Sequence, residues 1–523
     1  MRTRSAPDLR AWARGHVDDL AAVGLYAAVR AVLLGPMGLR MDLRFLTFAP
    51  HLPDLGLLQD RLLETLWYTH TQPPLYAGFV GLLLKLSPFP DGATFLVAHL
   101  ALGATLVVLL RRLAEALGLG RVATFVGLTL VVTDPALIAI ELVASYDLPT
   151  IVLLAALALR TARYVASGSA HDLAWVTGLA GATVLTRTVF HPVWFVLVVV
   201  GVVAMRRPSA PWRPVAAVVA APLVMILALV AKNAVLYGEP TLTTFAGPSL
   251  AKIAGSAATP AEREALQADG TVSELFGRPV FWGYETYADA MAPCERDRPD
   301  VPVLAEPDRP VGGYPNMNDE CMLAVYRVQT DDAEAYVRAE PRRFAAAQLG
   351  GAQMFFEPAL PIIFTTNADE LEPLDDLYAA TLLRSVQLQP VTRTEFGELR
   401  VLSAGGIDLV PTVVALDLAA VALGLRAAAR LVARRDRRGG EAARTELGAW
   451  AAVGLTCAWV TAVGSLLEVN ENARYRQLIE PFLLLVLAWL GQQAWHWWQG
   501  RSGRVDVDVE ADVEDGRAVG QGA

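Results

Sequence analysis

With 523 residues, 54% of them hydrophobic and 19% charged, the chain carries more apolar side chains than a soluble fold can hide. That excludes an ordinary globular domain and predicts a polytopic membrane protein. The net charge of −9, part of it in an acidic tail over 505–515, offers no basic surface for nucleic acid.

The fold class expected is mainly α, with about ten transmembrane helices. The apolar runs lie at about 18–37, 92–110, 122–140, 148–164, 172–188, 191–205, 213–233, 407–427, 447–467 and 475–493. Arginine clusters before the first run, between the second and third, after the fourth, sixth and tenth, and between the eighth and ninth all fall on one side if both termini are cytoplasmic. No cleavable signal is evident near the basic N-terminal segment. The multi-pass protein is therefore expected in the plasma membrane, with 1–17 and the acidic, disordered tail 494–523 in the cytoplasm. That topology requires Pro73–Ser87, about 15 apolar residues opened by two prolines, not to cross. A first external loop then spans 38–91 within an N-terminal membrane module, 18–236, and contains juxtamembrane helices.

The stretch 237–406 has soluble-protein levels of Pro, Gly and charge and reads as an external mixed domain inserted before the last three spans, 407–493. In it, Asp331–Ala347 reads as an N-capped helix broken at Pro341 and restarted, and a strand is expected near Leu399–Leu402. Cys294 and Cys321 either pair in an oxidising compartment or stay as two free thiols, while Cys457 is packing within a span. Trp495, Trp497 and Trp498 suit an aromatic belt, and seven scattered histidines argue against a zinc site.

In this topology the unusual polar residues gather on the external side. Glu468-Val-Asn-Glu-Asn-Ala-Arg-Tyr-Arg476 sits at the rim of an apolar run, where a charge is costly: roughly 2.5–3.5 kcal/mol for an arginine at the bilayer centre, and less near the interface. Planar guanidinium groups suit a phosphate, which makes Arg474 and Arg476 candidates for a lipid-linked phosphate. The plainer reading is interfacial anchoring. The same side receives Arg187, Asp147, Lys232, His70 and Gln72 as candidate substrate-binding residues. Asp54 and Asp42 are the candidate general bases. Their plainer roles are local: Asp54, between Pro53 and Gly56, suits a helix cap. Asp147 beside Pro149 does too, His70 suits a hydrogen-bonded loop tie, and Asp60 and Glu64 suit a wet helix face.

His70-Thr-Gln-Pro-Pro-Leu-Tyr76 resembles the H-x-P-P-L segment of type C superfamily membrane glycosyltransferases, in particular protein O-mannosyltransferase-like and aminoarabinose-transferase-like enzymes. Asn472-Ala-Arg-Tyr-Arg476 with Glu480-Pro481 is similar to the element opening a late span in them. Ser145-Tyr-Asp147, Lys232-Asn233, Gly238 and Arg187 also look like positions of bacterial members. The resemblance covers about 350 residues and omits the domain 237–406. It implies transfer of a sugar from a polyprenyl-phosphate donor to a hydroxyl acceptor on protein, lipid or glycan, with membrane lipid as a further partner. A first-loop carboxylate would act as base. The acidic doublet that often supplies that base is missing here. The resemblance names no certain cofactor and leaves room for a divalent cation at the leaving phosphate. The competing expectations are a transporter or flippase of a lipid-linked precursor, and a non-catalytic envelope assembly protein.

Overall fold

A computed structural model describes residues 16–87, 92–206, 208–209, 211–358, 365–388, 407–433, 440–469 and 471–515, with side chains described to 501. The protein is mainly helical. Each apolar run falls on a helix: Val17–Leu34, Ala93–Ala116, Arg121–Thr133 with Pro135–Leu142, Asp147–Ser167, Ala170–Thr186, Pro192–Met205, Trp212–Tyr237, Pro411–Val432, Glu441–Leu466 and Glu480–Asp515. Among the described residues, five helices are long and apolar enough to cross a membrane, or six if the pair bent by 56° at Asp134 is one span. The others fall short for visible reasons. Val17–Leu34 carries Asp18, Asp19 and Arg30, Ala170–Thr186 has 17 residues and Pro192–Met205 has 14. The helix of the last run continues to Asp515, so the backbone of the acidic segment expected to be disordered is helical. Extension from a formed helix adds one hydrogen bond per residue fixed.

Helix-to-helix packing is apolar, with Leu110, Leu128, Ile151, Val184, Cys457 and Leu485 fully buried. A buried ion pair near the first helix is set into it. Arg30 grips Glu141 with both Nε and Nη2, at 2.7 and 2.8 Å, and its Nη1 donates to the Val132 carbonyl. Tyr26 donates to the same carboxylate. With both charges satisfied, the pair locks the first helix to the short one after Asp134. Gly103 makes room for it, since a Cβ there would stand 2.5 Å from the Tyr26 hydroxyl. Elsewhere Pro411–Val432 and Glu441–Leu466 cross backbone to backbone. A Cβ at Gly424 would meet the Gly454 Cα at 2.5 Å, and the reverse also holds, the close approach that small residues allow in membrane packing.

Pro74–Leu86 is a 13-residue helix with proline in its first turn, apolar but short. Where described, the 237–406 stretch alternates helices with long turns over about 269–301 and 306–319, and its Val386–Leu388 pairs antiparallel with Ile407–Leu409 beyond it. The strand expected near Leu399–Leu402 lies outside the described residues. The break at Pro341 is present, between Glu320–Ala339 and Pro341–Phe355. The first of these helices starts eleven residues before Asp331, because Asp319 caps it by accepting from the Cys321 amide. Cys294 and Cys321 form a disulfide, and Cys457 is buried.

Candidate functional site

Three of the expected residues meet at one point. Asp147 opens the Asp147–Ser167 helix, where the partial positive charge of the first turn favours a carboxylate. Ser145 donates to its Oδ2 at 3.0 Å. Arg187 follows the last residue of Ala170–Thr186 and donates to Asp147 Oδ1. Its guanidinium lies between two aromatic faces, 4.6 Å from the Tyr146 ring centre and 4.7 Å from that of Tyr475. Arg474, in the short helix Asn472–Arg476, reaches Asp147 Oδ2 at 3.0 Å through Nη2. It also stacks over Phe45 at 5.0 Å. Asn472 pins that short helix by donating to the carbonyls of Gly464 and Glu468.

The partners of this cluster differ in exposure. Asp147 is buried, whereas Glu471, which receives Arg474 Nη1 at 3.2 Å, has a side chain 40% exposed. Lys252 pairs with Glu468, which also accepts from the Tyr475 hydroxyl. Phe45, Val143, Ser145, Asp147, Arg474 and Gln477 enclose a cavity of about 20 Å³, room for a single water.

The other expected residues are placed apart from that point. Asp54 caps Leu55–Asp60, accepting from the Gly56 and Leu57 amides, and its second oxygen accepts from the Val311 amide at 2.7 Å. Asp54, a candidate base, thus serves as a helix cap tying the first loop to the 237–406 stretch, as Pro-Asp-Leu-Gly favours. Asp42 comes closer. Its backbone pairs with Val143, which lines the cavity, while its carboxylate accepts from Arg44 and from the Thr366 amide. Those bonds, Arg44 first, outweigh desolvation and hold the carboxyl below its usual range.

His70 is fully buried, with Nδ1 2.8 Å from the Thr244 hydroxyl and Nε2 3.2 Å from the Asn318 carbonyl. It orients the loop against 237–406, with Gln72 partly buried beside it. Lys232 donates to the Thr69 carbonyl at 2.8 Å. Arg476 is fully buried and turned away from Arg474, pairing with Glu480 at 3.1 Å and donating to the Glu357 carbonyl. His191 caps Pro192–Met205, and Glu64 pairs with Arg61 at the surface.

Sequence reasoning passed over His51. Its ring centre lies 4.8 Å from that of Tyr146, and its Nε2 has no hydrogen-bond partner among the described residues. A lone histidine after a proline carries no spacing signal. Burial pulls its imidazole down to about 3, and the Arg474 and Arg187 cations add to the effect. Burial likewise takes His70 to about 3.

Both rings are therefore neutral in the folded protein from about pH 6.5 down to about 3, while the unfolded chain takes up protons through about 6.5. Stability is lost as the pH falls from about 6.5 towards 3, by up to ~1.4 kcal/mol per pH unit for each ring. We expect the thermal midpoint in detergent to fall between pH 7 and pH 4.5. The double variant His51→Phe, His70→Gln should fall less over the same interval, and an equal fall in both would remove the two rings as its cause.

Among the described residues, no group of three or more His, Cys, Asp or Glu side chains is placed to hold a metal ion. Beside the Arg187 turn, the Asp147–Ser167, Pro192–Met205 and Glu441–Leu466 helices leave an apolar groove of about 300 Å³. Trp459, in its wall, donates to the Val189 carbonyl, two residues past Arg187. Comparison of the chain with protein-family models, with curated proteins and with solved structures finds no match.

Proposed function

We propose that the protein is an integral membrane glycosyltransferase that takes a sugar from a polyprenyl-phosphate donor and passes it to a hydroxyl acceptor at the external face of the plasma membrane. The observation that carries this reading is the convergence of Arg187 and Arg474 on buried Asp147, together with an apolar groove whose wall residue Trp459 is hydrogen-bonded to Val189, two residues past Arg187. Guanidinium forks bind phosphate, and an apolar groove suits the first isoprene units of a lipid donor. In this reading the ten apolar runs cross the membrane and the Asp147 cluster faces outward. The Cys294–Cys321 disulfide supports an oxidising side for the 237–406 stretch.

Glu471, whose side chain is 40% exposed, is the displaceable partner: when it swings away, the donor phosphate takes its place at Arg474 Nη1, while Asp147 keeps both guanidiniums aimed. Negative charge building on the leaving phosphate is then met by fixed cations. The acceptor hydroxyl passes its proton to Asp42, the first-loop carboxylate whose backbone pairs with the cavity-lining Val143, once Arg44 has been displaced by the acceptor.

The test is incubation of purified protein with labelled polyprenyl-phosphate sugars. Wild type should consume donor, and Asp42→Asn should slow consumption by about 10²-fold or more with donor retention unchanged. Full turnover in Asp42→Asn would discard Asp42 as base. No consumption of any donor by wild type would count against the enzyme reading.

A separate observation favours transport of a lipid-linked precursor. Arg476, Glu480, Asp134 and Asp417 are ionisable groups buried within the helix bundle. A transporter would leave the donor chemically intact and move it across a proteoliposome membrane.

A further inference from the structure

At the end of the Asp147–Ser167 helix opposite Asp147, a cleft of about 820 Å³ opens between helices. Arg163, sixteen residues along, stands about 24 Å from Asp147. The cleft is bordered by Asp19, Arg111, Arg112, Arg163 and the start of Glu441–Leu466, with Leu159 in its apolar wall.

Its three arginines and three carboxylates balance in number but not in placement. Asp19, the one buried carboxylate of the lining, is shared by Arg111 at 2.5 Å and Arg112 at 2.7 Å. Glu115 meets Arg111 only at 3.3 Å with a side chain 73% exposed, and Glu446 lies exposed at the rim. Arg163 is half-buried and makes no ion pair among the described residues. Arg160, a turn before it, is drawn off to Asp172 at 3.8 Å and stacks on Trp175.

We propose that this cleft binds a phosphate group, supplied either by the head of an anionic phospholipid or as free phosphate. Three planar guanidiniums around one space match the oxygens of a phosphate, and Arg163 is the cation it would complete. Basic pockets between membrane helices take up lipid headgroups in this way, with apolar wall such as Leu159 left for the chain below the head. The inference is independent of the reading of the Asp147 cluster.

Native mass spectrometry of the full-length protein in detergent tests it, with phosphatidylglycerol, phosphatidylcholine or inorganic phosphate added singly. Retained phosphatidylglycerol is expected on wild type, with phosphatidylcholine lost. Arg163→Gln should weaken retention by about tenfold or more, because a charge-assisted bond is removed. Arg163 breaks no ion pair when replaced, so folding should survive. Thr445→Trp, which fills the cleft without replacing a cation, should weaken retention as well. Retention of inorganic phosphate with the same dependence, and of no lipid, would assign the site to free phosphate. Equal retention of every probe by wild type and both variants would overturn the site.

Discussion

Replacing Arg474 by lysine should lower retention of a polyprenyl-phosphate donor nearly as far as replacing it by alanine. The guanidinium works in several directions at once: towards Asp147 through Nε and Nη2, towards Glu471 through Nη1, and over the Phe45 ring. An ammonium keeps the charge but has neither the fork nor the plane. Loss of one charge-assisted bond to phosphate costs about 1.5–3 kcal/mol, on the order of tenfold or more in affinity. An anchoring arginine behaves differently, since a long stem and a charged tip are all that anchoring needs. The measurement is donor affinity for wild type, Arg474→Lys and Arg474→Ala, in protein shown to be inserted and folded. Wild-type affinity in the lysine variant would reject phosphate recognition at this residue.

The largest stability loss is expected at Asp147. It is buried and receives Arg187 and Arg474 together. Asp147→Ala leaves two buried guanidiniums facing each other without a shared counter-ion, and breaking a buried pair costs about 3–5 kcal/mol. Asp54→Ala provides the scale. It removes a helix cap, typically worth about 1 kcal/mol, together with the Val311 tie. Unfolding midpoints in detergent should therefore rank wild type, Asp54→Ala and Asp147→Ala in falling order. If Asp147→Ala unfolded no earlier than Asp54→Ala, the charge cluster would not be holding the helix ends together.

Much of the fold was legible because apolar length and proline act locally. The runs fell on helices, and Pro74 and Pro341 sit in first turns where their rings require them. The start at Glu320 was not legible, since its cap is one aspartate in a stretch dense with turn formers. The meeting of Asp147, Arg187 and Arg474 was partly legible from charge at helix ends, but their contacts join residues 40 and 327 positions apart, which spacing cannot encode. Asp54 and His51 mark the limits. Asp54 takes the local cap that Pro-Asp-Leu-Gly favours, and His51 takes its character from burial against Tyr146 and from the Arg474 and Arg187 cations. The spacing of Cys294 and Cys321 left pairing open; the fold brings them together.

The crossing at Gly424 and Gly454 has a mechanical consequence. With backbones in contact and no side chain between them to yield, Pro411–Val432 and Glu441–Leu466 cannot rotate or slide past each other without collision. They move as one lever. The short helix bearing Arg474 hangs from the end of that lever and is pinned to Gly464 and Glu468 through Asn472. Arg474 is thus carried with the crossing, and a change that spread the two backbones at Gly424 and Gly454 would also shift the arginine that grips Asp147.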